Sequence, residues 1–147
     1  MNYEIKPYVG VEPIKFGMPS DEVRKVLHKD VEPVDKSSSE IPTDFFPQLG
    51  IFVYYKPPGI CEAVEFGGPA SPTFDGQHLL GRSYSEMERW LRGLDPDVML
   101  LDAGLRSKKF GVGLYAPSAK KEPDLPVEGV IGFEAGFYER YAPSNIH

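Results

Sequence analysis

The chain has 147 residues, 41% of them hydrophobic and 26% charged, and a formal net charge of −6. That length sustains one domain, or two small halves sharing a core, and an acidic balance without a Lys/Arg stripe argues against a nucleic-acid surface. One cysteine, Cys61, excludes an intrachain disulfide, and no run approaches the roughly 18 apolar residues of a membrane span.

The start, Met1-Asn2-Tyr3-Glu4-Ile5-Lys6, has no apolar signal-peptide core, so the expected compartment is the cytoplasm. The 15 glycines and 15 prolines call for short elements and many turns. Residues 1–16 read as extended, because Pro7 and Pro13 exclude a helix interior. Val11, Ile14 and Phe16 suit a short edge strand. A first helix is expected over about Ser20 to Lys29, with Val23, Val26 and Leu27 on one stripe and Asp21 and Glu22 in the first turn.

Residues 30–50 form a polar connection containing Ser37-Ser38-Ser39, with a second short helix expected around Asp44 to Phe46. Ile51 to Lys56 is the best strand, rich in β-branched and aromatic residues. Pro57-Pro58-Gly59 is a turn, and Ile60 to Phe66 returns as the second strand of a hairpin. A second helix is expected over about Ser85 to Leu94, where Met87, Trp90, Leu91 and Leu94 share a face and Ser83 with Glu86 fits a capping box. Asp95 to Lys109 reads as irregular, Phe110 to Tyr115 as a strand, 116–126 as a long loop and Val127 to Glu134 as a returning strand. The tail after Arg140 reads as frayed.

The chain repeats itself. Phe16-Gly17-Met18-Pro19-Ser20-Asp21-Glu22-Val23 has a second copy in Leu80-Gly81-Arg82-Ser83-Tyr84-Ser85-Glu86-Met87. Further on, Tyr54 falls on Tyr115, and Glu62-Ala63-Val64 on Glu128-Gly129-Val130. The expected fold is α+β in two layers: two tandem strand-helix-hairpin repeats, about 10–68 and 74–138, joined in one antiparallel sheet with both helices on one face. Strand alternation puts Val112, Leu114, Ile51 and Val53 on the core face. Phe52, Tyr54, Lys56 and Tyr115 then lie on the open face. In the returning strand Val127, Ile131 and Phe133 are expected toward the core, and Glu128 and Glu134 outward; the parity of Ile60 to Phe66 stays open. Such an aromatic and acidic face suits protein contact. The alternative is that a helix, a loop or the C-terminal tail covers it.

No chemical constellation emerges. The histidines His28, His78 and His147 have no metal-ligand spacing. Cys61 inside a strand reads as a small buried residue. Asp95, Asp97 and Asp102 lack an EF-hand pattern, and Gly111-Val112-Gly113 is too short for a dinucleotide fingerprint. The expectation is a protein that is not an enzyme, with no cofactor and no metal.

The phrase from Ile14 to Val23, followed by Val26 and Leu27, resembles the repeated signature of proteins related to the β-lactamase inhibitory protein and the SmpA/OmlA family. The chain departs from it in three places: Pro19 stands at the usual cap of the first copy, the second copy has Gly81-Arg82 in place of Gly-Met, and the inhibitor's cysteines are absent. The resemblance implies a helix packed on an antiparallel sheet whose other face binds a protein. A small acidic chain of this kind is similar to the immunity proteins that cover the active site of a cognate bacterial toxin, whose basic cleft would attract it. The contacts expected on that reading are Phe52, Tyr54, Tyr115 and Glu128, with Asp95, Asp97, Glu122 and Asp124 from the loops. A small-ligand site between the sheet and loop 116–126, or an oligomerising role, are the alternatives.

Overall fold

The structure, a computed structural model, describes residues 3–35 and 40–141. Ser37-Ser38-Ser39, His147 and the tail beyond Tyr141 lie outside the described residues. The fold is mixed α+β, with thirteen strands in two sheets and three short helices among the described residues. In chain order these are β1 (Tyr3–Lys6), β2 (Gly10–Glu12), β3 (Ile14–Lys15), α1 (Ser20–Leu27), β4 (Glu32–Val34), β5 (Thr43–Phe46), β6 (Ile51–Lys56) and β7 (Ile60–Phe66). There follow β8 (Pro72–Phe74), β9 (Gln77–His78), α2 (Tyr84–Leu94), β10 (Met99–Leu101), β11 (Gly104–Ser107), β12 (Val112–Tyr115), β13 (Gly129–Phe133) and α3 (Phe137–Arg140).

Eight strands form one antiparallel sheet in the order β10-β11-β12-β13-β7-β6-β5-β4. Each half supplies a four-strand meander, and the two meet where β13 pairs with β7. The same register recurs in both: Tyr54 lies opposite Ala63 and Val53 opposite Val64, while Tyr115 lies opposite Gly129 and Leu114 opposite Val130. The helix approaches match as well. Gly17 N–H donates to the Cys61 carbonyl at 2.8 Å and Cys61 N–H to the Met18 carbonyl at 2.9 Å. Gly81 N–H donates to the Val127 carbonyl at 2.9 Å and Val127 N–H to the Arg82 carbonyl at 2.8 Å.

A single sheet with helices on one face is therefore too simple a description. A second sheet, β3-β2-β1-β8-β9, packs against the middle of the large one. Its Tyr3, Ile5, Val11 and Phe74 join Val23 and Leu27 of α1, Met87 and Leu91 of α2, and Val53, Val64, Leu114 and Val130 in one core. Gly132 makes room for this packing: a Cβ there would stand 3.0 Å from Val11 Cγ2. The third helix, α3, carries Phe137 into a separate cluster with Tyr54, Ala63, Ile131 and Phe133. That cluster lies on the opposite side of the large sheet, called here the outer face.

The helix expected at Asp44 to Phe46 is strand β5, and the segment expected to be irregular, Asp95 to Lys109, holds β10 and β11. The reason lies in their neighbours. β6 and β12 would otherwise leave a row of backbone donors and acceptors unpaired, and Phe45 stacks on Phe52 across the β5–β6 ladder at 4.4 Å. Ile131 and Phe133 point outward, contrary to the alternation read from Val127. Val127 and Val130, three residues apart, both reach the main core, because Val127 gives its backbone to Arg82 before the ladder resumes. The alternation slips there. The second helix takes its N-cap from Ser83, whose Oγ accepts the Glu86 N–H at 3.5 Å, whereas Pro19 leaves α1 without a side-chain cap. Among the described residues, no helix is long and apolar enough to cross a membrane.

Candidate functional site

The outer face divides into a covered and an uncovered half. Over the first half lies α3, with Phe137 2% exposed and its ring 6.3 Å from Tyr54. Polar contacts fasten it. Glu62, fully buried, accepts from Arg140 Nε at 3.2 Å and Nη2 at 2.9 Å, and from the Tyr141 hydroxyl. Arg140 Nη2 also reaches Glu134 at 2.6 Å, and Lys56 pairs with the same carboxylate. A buried carboxylate costs several kcal/mol unless it is paired and hydrogen-bonded, roughly. Glu62 therefore ties the position of α3 to that of β7.

Over Tyr115 and Gly129 no helix lies among the described residues, and a hollow of about 360 Å³ opens on the sheet. Gly113 and Gly129 contribute backbone to it, Leu101 and Ile131 contribute aliphatic side chains, and Tyr115 and Tyr138 contribute rings. Tyr115 stands in a row with Gly104 on one side and Gly129 on the other. Neither neighbour has a side chain to cover it, and the ring is 43% exposed. The charged members of the lining are Glu65, Asp102 and Arg106. The Arg106 guanidinium lies 3.6 Å over the Tyr138 ring, an arrangement attractive in itself. Glu65 accepts the Tyr54 hydroxyl. Burial, reinforced by that carboxylate, pushes the Tyr54 hydroxyl far above its ordinary range, and burial raises Tyr138 also. At the mouth, Lys120 hydrogen-bonds Asp102 at 2.6 Å and holds its carboxyl below the usual range.

Of the residues expected at a contact surface, Tyr115 lines the hollow and Glu128 lies exposed next to Gly129. Phe52 is half-buried against Phe45. Tyr54 is 4% exposed, so α3 removes it from the open face where alternation had put it. Asp95 is 3% exposed and closes the end of α2: it accepts from Ser107 Oγ at 2.7 Å and from the Asp97 N–H at 3.0 Å. It offers nothing to a partner. Asp97, Glu122 and Asp124 are exposed, and Asp124 accepts from Ser85 Oγ at 2.6 Å beside the start of α2. Sequence reasoning missed Gly129, Ile131, Leu101, Arg106, Glu65 and Tyr138. A signal for the hollow was present in the repeat: Gly113 takes the ladder place of Phe52, and Gly129 that of Ala63.

Cys61 is fully buried, and burial pushes its thiol up. Among the described residues no group of three or more His, Cys, Asp or Glu is arranged to hold a metal ion. Comparison with known protein families, with curated proteins and with solved structures found no match to this chain.

Proposed function

We propose that this chain is a non-catalytic protein-binding module whose contact surface is the uncovered half of the outer face. The observation that carries the reading is Tyr115, 43% exposed on glycine-flanked sheet beside the 360 Å³ hollow. Exposed aromatic side chains next to a desolvatable hollow are the usual anchors of protein interfaces. The narrower proposal is a cytoplasmic immunity protein that inhibits a cognate bacterial toxin by covering its active site. The net charge of −6 supports it, since a basic cleft would gain on-rate by steering. The likeness of the two helix starts to tandem inhibitory proteins supports it too. The matched registers of the two meanders support descent from one duplicated strand-helix-hairpin unit, with α1 and α2 on the same side of the large sheet.

The test is capture of the partner from source-cell lysate with the wild-type chain and with Tyr115→Ala. The expected result is a stoichiometric partner held in a salt-sensitive complex, with affinity lower by about 2 kcal/mol in Tyr115→Ala and an unchanged melting temperature. Full binding by a folded Tyr115→Ala chain would remove the hollow from the interface. Mixing the purified partner with the chain then tests the immunity reading. Partner activity that survives saturation overturns it.

A second reading has one observation in its favour. The hollow's volume falls within the range of small-molecule sites, about 300–1,000 Å³. A metabolite that raises the melting temperature of the wild-type chain, and does so less in Tyr115→Ala, would support that alternative.

A further inference from the structure

The two halves use the same register positions to different ends. In the first half, Tyr54 and Ala63 form a cross-strand pair on the outer face, and Phe137 of α3 packs with both. The residue before Ala63 is Glu62, and its carboxylate is answered by Arg140, three positions after Phe137. In the second half the corresponding residues are Tyr115, Gly129 and Glu128. Here Tyr115 and Glu128 are exposed, and the hollow lies beside them. The chain thus carries, on its own surface, an example of what this sheet face accepts: one helical turn with an aromatic ring and an arginine three residues later.

We propose that the hollow at Tyr115 takes such a turn from a partner protein, its ring against Tyr115 and Ile131 and its arginine at Glu128. The inference rests on the protein-binding reading above and specifies the partner's chemistry. Space favours it through the hollow itself, about 360 Å³, whose floor is made by Ile131 and Tyr115 leaning over Gly113 and Gly129: a Cβ on those glycines would stand 2.9 Å from Ile131 Cγ2 and 3.2 Å from Tyr115 Cβ. Charge favours the stated polarity. Arg106 shares the row of Gly113 and Ile131, whereas Glu128 lies beyond the row of Tyr115 and Gly129. The Arg106 row also carries Glu65, opposite Ile131, so its charges oppose one another, whereas Glu128 offers an exposed carboxylate to a cation.

The probe is a synthetic peptide of the sequence Glu134 to Tyr141, added to the isotope-labelled full chain and followed by amide chemical shifts. The expected result is saturable shifts at Gly113 and Gly129 at peptide concentrations up to about 5 mM. Phe137→Ala or Arg140→Gln in the peptide should each weaken binding about tenfold. Glu128→Gln in the protein should weaken binding of the unaltered peptide as much, and have no further effect on the Arg140→Gln peptide. No shift at Gly113 and Gly129, shifts confined to Ala63 through exchange with α3, or an affinity indifferent to Glu128→Gln would each overturn the proposal. The broader reading has its own readout. If the peptide fails but Tyr115→Ala still releases the captured partner, only the aromatic–arginine chemistry falls. If Tyr115→Ala releases nothing, the protein-binding reading falls.

Discussion

Asp44 of β5 is 2% exposed, yet charged groups meet there under α1. Arg24 donates Nε to Oδ2 at 2.9 Å and Nη2 to Oδ1 at 2.7 Å, and the Tyr55 hydroxyl donates to Oδ2 at 2.8 Å. Burial, with the Asp44 carboxylate beside it, pushes the Tyr55 hydroxyl well above its ordinary range. The arginine side chain is 46% exposed and the carboxylate 2%, and that asymmetry sets the order of three variants. Arg24→Ala leaves a buried carboxylate with only the Tyr55 hydroxyl from this triad, at a cost of about 3–4 kcal/mol. Asp44→Ala lets Arg24 return to water and orphans the Tyr55 hydroxyl, at a cost of about 2 kcal/mol. The double variant Asp44→Leu with Tyr55→Phe removes both buried polar groups together. Its leucine copies the second half, where Leu105 holds the matching position within the core. Its cost should be within about 1 kcal/mol of zero. Equilibrium urea unfolding followed by circular dichroism reads all three, and the melting temperature of Arg24→Ala should fall by roughly 10 °C. A double variant no more stable than Asp44→Ala would refute the reasoning, because the triad would then contribute net stability beyond what apolar packing supplies.

Stability should also fall in alkali. The folded-state pKa values of Tyr54 and Tyr55 are raised above the ordinary 10.0, mainly by burial. The contribution is complete below the unfolded value; above about pH 10 the unfolded chain loses protons that the folded chain keeps. Stability then declines by up to about 1.4 kcal/mol per pH unit for each tyrosine, and a melting temperature flat from pH 9 to about pH 11 would contradict this. Gly104→Ala would put a Cβ 1.9 Å from the Leu114 carbonyl oxygen at a residue with φ of 142°. The β11–β12 ladder must shift, and stability should drop by about 3 kcal/mol or more, whereas a melting temperature equal to wild type would refute the close approach. Phe137→Ala should release α3, since a four-residue helix has little to hold it once its buried ring is gone. Hydrogen exchange at Arg140 and Tyr141 should become fast while the β6–β7 ladder stays protected, and protection retained at Arg140 would show that Glu62 alone suffices.

The strong local signals are legible in the amino-acid order. Ile51 to Lys56 and Ile60 to Phe66 are strands with the bounds read from their apolar and aromatic content, and the stripes Val23–Leu27 and Met87–Leu91 lie on helices. The match of Tyr54 with Tyr115 was legible too, and the ladder places both residues at corresponding points. Those features depend on neighbours a few residues apart, and periodicity records them. Strands β4, β5, β10 and β11 were not legible. Each has three or four residues, too few for a period to stand out, and each is a strand because a partner already formed offers it an open edge.

The outward turn of Ile131 and Phe133 was hidden for a related reason. It follows from where Val127 spends its backbone, on Arg82 across the fold, and nothing in the residues 127–133 themselves marks the slip. The candidate site shows the division most sharply. The amino-acid order by itself determined that Tyr54 and Tyr115 face the same side of one sheet, because alternation is a property of the strand. Only the tertiary structure decided that Tyr54 is buried and Tyr115 exposed. Burial depends on which distant element arrives to cover a surface, and Glu62 with Arg140 holds α3 over Tyr54 and not over Tyr115.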